Sequence, residues 1–237
     1  MNPKTTAALC FFILIWAGGT VAQEPTCSLK LEQLPAASEL HGFRLGMTMD
    51  QVKARVPPVT FARPDQFGLS RTSINPHFDS RFDATTFDGV RTVSLSFLDG
   101  RLIELWIGYD TGFKWQKMDE FVAGFGKTLA LPGKWQAKGR GQLITCDGVE
   151  VFASMVGGSP GVRLTDTVAE QTLTSRREEA ANEAEALETA FIGDKQTRLY
   201  YPPGCAAANE VSIANRLLFE DLEQAQKAGY KPAKNCP

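Results

Sequence analysis

Histidine is almost missing from this chain: His41 and His77 are the two present in 237 residues. They lie far apart in sequence and belong to no recognisable triad or metal signature, so the commonest acid–base and zinc chemistry has little to work with. An excess of positive charge is missing as well. The chain has 25 basic and 27 acidic residues and a formal charge of −2, unlike the basic footprint of a nucleic-acid binder. Gly157-Gly158 lacks the continuation of a phosphate loop. Asp79, Asp83 and Asp88 have a spacing that fits no calcium loop, and they read as turn residues and solvated charges. No catalytic residue and no cofactor is assigned from these patterns.

The first 22 residues differ from the rest. Lys4 supplies a charged start, Ala7–Ala17 an apolar run, and Thr20-Val21-Ala22 small residues before a cut, the pattern of a secretory signal peptide. The run is too short to span a bilayer, which weighs against a retained anchor. Cys27 follows Glu24-Pro25-Thr26, not the small apolar residues of a lipid-attachment box. The expected mature chain begins near Gln23, is exported to the periplasm or beyond the cell, and keeps no membrane span. Losing Lys4 alone from the 25 basic residues takes the formal charge from −2 to −3. Losing Cys10 leaves Cys27, Cys146, Cys205 and Cys236, an even set that an oxidising compartment pairs.

What is present is a core-forming chain, 43% hydrophobic. Arg91–Tyr109 reads as two strands joined at Asp99-Gly100. A two-residue turn sets Leu95 against Glu104 and buries a carboxylate. A three-residue loop, Leu98-Asp99-Gly100, pairs Leu95 with Ile103 and Val93 with Leu105, and is the expected form. It gives one face of Val93, Leu95, Ile103, Leu105 and Ile107, and a second face of Ser94, Ser96 and Glu104. The pattern recurs at Leu143–Met155 with Cys146-Asp147-Gly148 in the loop. Each hairpin follows a helix. Thr48 and Gln51 form a capping box for one that stops before Pro57-Pro58. Lys114–Leu131, with Met118, Phe121, Val122, Phe125 and Leu129 at helical spacing, is the other. Residues 59–81 read as a long irregular connection, Phe82–Phe87 as the first strand of a three-strand meander, and Gly161–Leu164 as an edge strand.

Thr165–Ala190 is charged and alanine-rich, has Val168, Leu173 and Leu187 as its large apolar residues, and is capped by Thr165 or Asp166. It reads as a helical connector in preference to a partner-binding coil, because a heptad is missing. The expected fold is therefore α+β. Two helix-plus-antiparallel-hairpin units form a two-layer domain over 23–164, a charged connector spans 165–190, and a small α/β cap closes the chain over 191–237. Trp106, Trp115 and Trp135 either floor a ligand groove or pack under a helix.

Gly46-Met47-Thr48 through Val52, then Phe97-Leu98-Asp99-Gly100-Arg101-Leu102, resembles the SmpA/BamE family of small bacterial envelope proteins and the related β-lactamase-inhibitor repeat. The likeness implies a protein-binding role in the envelope, with a second sheet face holding Leu102 and Trp106 for the partner. Phe191–Pro237 resembles the small zinc-binding module of the Ada DNA-repair protein, on Gly193, Pro203, Cys205, Asn215, Phe219, Ala225 and Gly229-Tyr230-Lys231-Pro232. That module's four zinc positions fall on Tyr201, Cys205, Ala233 and Cys236. Alanine has no donor and tyrosine is a poor zinc ligand, so the resemblance implies a site that has lost its metal. It also implies a Cys205–Cys236 disulfide in its place, which leaves Cys27 and Cys146 as the second pair. Without the metal the repair chemistry does not carry over. Three functions follow: an exported non-enzymatic protein that binds another envelope or secreted protein, a zinc- or nucleic-acid-associated protein, and an exported hydrolase with an unrecognised site.

Overall fold

The structure is a computed structural model that describes residues 27–83 and 85–236, with Ala186 and Leu187 described for their backbone alone. The leader, its cut before Gln23 and Cys10 lie outside the described residues, as does the side chain of Leu187. The architecture is α+β. Among the described residues, seven strands form one sheet and four a second.

Three strands precede the middle of the larger sheet: β1 (Leu69–Ile74), β2 (Val90–Leu98) and β3 (Arg101–Tyr109). Four follow it: β4 (Gln136–Lys138), β5 (Gly141–Cys146), β6 (Val149–Val156) and β7 (Ser159–Asp166). The order β1-β2-β3-β7-β6-β5-β4 joins the two groups through their last strands, with Leu105 opposite Leu164 and Gly108 opposite Gly161. The stretch expected at an edge is thus the centre of the sheet. β7 can take that place because Val162 and Leu164 are apolar toward the helices, while Gly161 on the other face makes room for the Trp106 ring.

The first strand differs from expectation too. β1 lies inside the stretch read as irregular, and Phe82, Asp83 and Thr85–Phe87 lie in bends and turns outside any strand. Asp79 and Asp83 explain those turns, since their carboxylates accept from the Arg81 and Thr85 amides two residues on. Phe82 and Phe87 are buried by these turns without joining a ladder.

The β2–β3 register corrects the loop. Leu98 faces Arg101, so the turn is the two-residue Asp99-Gly100, with φ of +49° and +79°, both in the left-handed region that a primed hairpin turn requires. The extra residue sits in the strand. Ser96 faces Glu104 and Phe97 faces Leu102, which leaves Ile103 as a bulge. Beyond it Leu95 meets Leu105 and Val93 meets Ile107. The bulge moves Ile103 to the face opposite Leu105, where it packs with Leu69, Leu98 and Leu173. Leu102, expected on the partner face, is fully buried on the core face. The second hairpin likewise turns on Asp147-Gly148 alone, with Cys146 facing Val149.

One face of the sheet carries two helices. α1 (Met49–Arg55) opens on the Thr48–Gln51 capping box, and α2 (Met118–Thr128) presents Phe121 and Phe125. Val52, Val56, Phe121, Phe125 and Leu129 pack there with Val93, Leu95, Leu105 and Ile107 in one core. Trp115 packs against α2, close over Gly124, with its ring 5.5 Å from that of Phe125. Trp135 is half-buried near Gly126, and Trp106 lies over Gly108 and Gly161 on the opposite face. α3 (Thr167–Thr189) starts from Asp166, whose carboxylate accepts from the Val168 and Ala169 amides. Its first turns are not a free connector: Leu173 is buried on the sheet, and Arg176 pairs with Asp99 at 2.7 Å. No helix of the described residues is long and apolar enough to cross a membrane.

Residues 27–46 run over the helix-side core as a strap, pinned at both ends. Cys27 is bonded to Cys146, with 4.5 Å between their Cα atoms. At the far end Glu39 is buried, its carbonyl accepting from Tyr109 Oη at 2.8 Å and its carboxylate 2.6 Å from Lys114 Nζ. Burial opposes ionisation of Glu39, but the Lys114 bond outweighs it with other local hydrogen bonds and holds the carboxyl below its ordinary value of about 4.5. A carboxyl depressed in the fold stabilises above its unfolded pKa, and that stability is lost as pH falls through the folded value. Lys114→Met, which strands the carboxylate, should cost about 1–3 kcal/mol at neutral pH. The gap from wild type should close as the pH drops through the glutamate range. Urea midpoints measured along that pH series test it, and a pH-independent gap would refute the role of the pair.

Candidate functional site

The second sheet forms around β8 (Phe191–Asp194) and β9 (Leu199–Tyr201), which make a hairpin closed by Asp194. Its carboxylate accepts from the Gln196 amide and the Thr197 hydroxyl, and these bonds hold it below the usual carboxylate range. β10 (Arg216–Phe219) pairs with β8, and β11 (Lys231–Pro232) runs parallel to β9, giving the order β10-β8-β9-β11. α4 (Leu222–Lys227) is capped by Asp221, whose side chain accepts from the Gln224 amide. Gly193 lies under the rings of Phe219 and Tyr230, in space that a Cβ would fill.

These elements bring together Tyr201, Cys205, Ala233 and Cys236, the four positions that the resemblance sets against zinc ligands. Tyr201 ends β9. The Pro202-Pro203-Gly204 turn then delivers Cys205, whose amide donates to the Pro202 carbonyl. Ala233 follows β11, its amide donating to the Tyr200 carbonyl at 2.9 Å. Cys236 folds back on Cys205 in a disulfide with 5.5 Å between Cα atoms. Tyr201, Cys205 and Ala233 are buried with Ile192, Ala208 and Val211, and Cys236 packs at the margin.

The donor set does not fit a zinc ion. Both thiols are consumed in the disulfide, Ala233 offers a methyl group, and what remains is one phenol where a structural site needs four donors. The place where ligands would converge is a small apolar core closed by a cross-link. Among the described residues no three His, Cys, Asp or Glu side chains gather into a metal-binding group.

The other candidates stay apart. His41, in the left-handed region, stacks on Phe87 at 5.7 Å, its Nδ1 is 3.3 Å from the Thr86 carbonyl oxygen, and burial lowers its pKa. His77 lies 3.6 Å from Asp110. Asp79 is held by Arg81, and Asp83 by Thr85 and Thr86.

Sequence reasoning missed two features. An apolar cleft opens under the strap, and Ile213, Leu217, Leu218 and Leu222 are all exposed in one ten-residue stretch around β10. The doublet Leu217-Leu218 carried a weak signal for the second, since a strand cannot bury both faces without a cover on each.

Compared with known proteins, residues 175–237 match the model of a family described as the metal binding domain of Ada. The match begins within α3, upstream of Phe191. No curated protein and no solved structure shows a significant match to the chain.

Replacing Cys205 by Ser should destabilise this module by roughly 3–4 kcal/mol on the chain-entropy estimate for its loop. Ala233→Cys together with Tyr201→His should create stoichiometric zinc binding under reducing conditions. Metal analysis of both proteins decides the matter, and stoichiometric zinc in the unmodified oxidised chain would overturn the poor fit.

Proposed function

We propose that this is an exported, non-enzymatic protein that binds another envelope or secreted protein, with the disulfide-closed module as its docking element. The single observation that carries the reading is the bare edge of β10. Leu217 and Leu218 are 36% and 45% exposed, and Ile213 and Leu222 flank them at 84% and 41%. One side of β10 pairs with β8, and no strand of the described residues lies on the other. Lys195 N–H donates to the Asn215 carbonyl, so by the alternation of an antiparallel ladder the Leu218 N–H and C=O point away from β8.

The remaining sheet edges are protected in the ways proteins usually protect them. Residues 60–65 cover β1, with the Ala62 amide on the Arg71 carbonyl and Thr72 Oγ1 on the Thr60 carbonyl. β4 is three exposed residues ending in Lys138, and β11 is two residues ending in proline. An apolar edge left open fits a partner that adds a strand. The two disulfides support an oxidising compartment, which agrees with the secretory pattern of the first 22 residues. The envelope setting rests on the resemblance of Gly46–Leu102 to the SmpA/BamE proteins.

The match to the metal binding domain of Ada favours a second reading, association with zinc or nucleic acid through the same module. Its donor set and the net negative charge oppose it.

A photo-crosslinker at position 218, in exported full-length protein, should join one partner species. The adduct should fall at least about ten-fold when Leu217→Lys and Leu222→Lys remove the apolar flanks, the scale of a lost interface anchor. The same crosslinker at exposed Phe78 serves as the control. Equal labelling at both positions, or retained Met1 with four free thiols, would refute the proposal.

A further inference from the structure

The cleft under the strap is apolar where it is deep and charged where it opens. Its floor is Leu40, Leu129 and Leu164, all buried, and its walls are the half-buried Leu31, Leu34 and Leu45. Its volume is about 210 Å³. A dry cavity of about 150 Å³ holds one benzene, so this cleft admits one ring or one alkyl chain and excludes a lipid with two. The strap cannot collapse into the space without pulling on its anchors, the Cys27–Cys146 bond on one side and the Glu39–Tyr109–Lys114 contacts on the other.

The rim sets the polarity of what enters. Arg44 is exposed there and its guanidinium makes no ion pair or hydrogen bond among the described residues. Arg101 donates to the carbonyl of Gly46, which also lines the mouth. Glu32 is the one acid and Arg44 the one base of the lining, and Arg101 adds a second positive charge behind Gly46. A free guanidinium presents a planar fork that matches a carboxylate in a two-bond geometry.

We infer that the cleft binds a free medium-chain monocarboxylate, with its alkyl chain among the leucines and its carboxylate on Arg44. This site lies in the larger sheet, away from the β10 edge, and stands or falls separately from the partner-binding role.

Calorimetric titration of the full chain with decanoate tests it, with decylamine as the charge-reversed probe of the same length. Decanoate should bind at one per chain, and decylamine at least about ten-fold more weakly, the scale of a charged hydrogen bond. Arg44→Glu, at an exposed position, should reverse that order. Leu34→Trp should fill the cleft and abolish decanoate binding, and Leu45→Trp serves the same purpose if the first variant melts early. No decanoate binding, equal affinity for the two probes, or decanoate binding unchanged in Arg44→Glu would each overturn the inference.

Discussion

The antiparallel pairing of β3 with β7 carries the larger body. Two hairpin units with one apolar face each could have stacked face to face as a sandwich. The ladder from Glu104–Thr165 to Gly108–Gly161 joins them edge to edge instead. Leu105, Ile107, Val162 and Leu164 then lie on a single continuous face. That face is wide enough for α1 and α2 side by side, so one core serves both units. The opposite face tolerates the joint because it has glycine at Gly108 and Gly161, where the Trp106 ring needs room.

The bulge at Ile103 follows from the same constraint. Asp99-Gly100 demands a two-residue turn, yet a regular ladder from that turn would bury Glu104 opposite Leu95. One extra residue in β3 satisfies both demands. It has a second effect, since Ile103 now joins Leu69 and Leu98 on the far face and gives Leu173 of α3 something apolar to cover. A helix with few apolar residues is docked at one end by one leucine and by the Arg176–Asp99 pair. Its remaining length can be polar for that reason.

In the C-terminal module, which matches the family described as the metal binding domain of Ada, a disulfide stands where the resemblance puts zinc ligands. Zinc binding energy is folding energy in a unit of this size, so an alanine at a ligand position would strand the others. Here the two remaining cysteines bond to each other, and Tyr201 and Ala233 become ordinary members of a small core with Ile192 and Val211. The cross-link also frees the module from any need for a reducing, zinc-supplied compartment. What it leaves exposed is the β10 edge, with Leu217 and Leu218 open to solvent.

By itself the sequence determined the places of the two hairpins and of the helices α1, α2 and α3. These rest on short-range chemistry: the Thr48–Gln51 cap, the Asp-Gly pair that marks each hairpin, the helical spacing from Met118 to Leu129, and the Asp166 cap. Only the tertiary structure decided the placement of β7, the face of Ile103, the burial of Leu102 and the exposure of Leu217 and Leu218. Alternation of apolar residues along a strand is the same whether its neighbours are one strand or two, so Gly161–Leu164 reads alike at an edge and at a centre. A bulge moves one residue across the sheet without changing composition. The strap cleft depends on contacts between Leu31, Leu45, Leu129 and Leu164, residues separated by up to most of the larger body. No local pattern encodes a space that appears when the chain has closed around it.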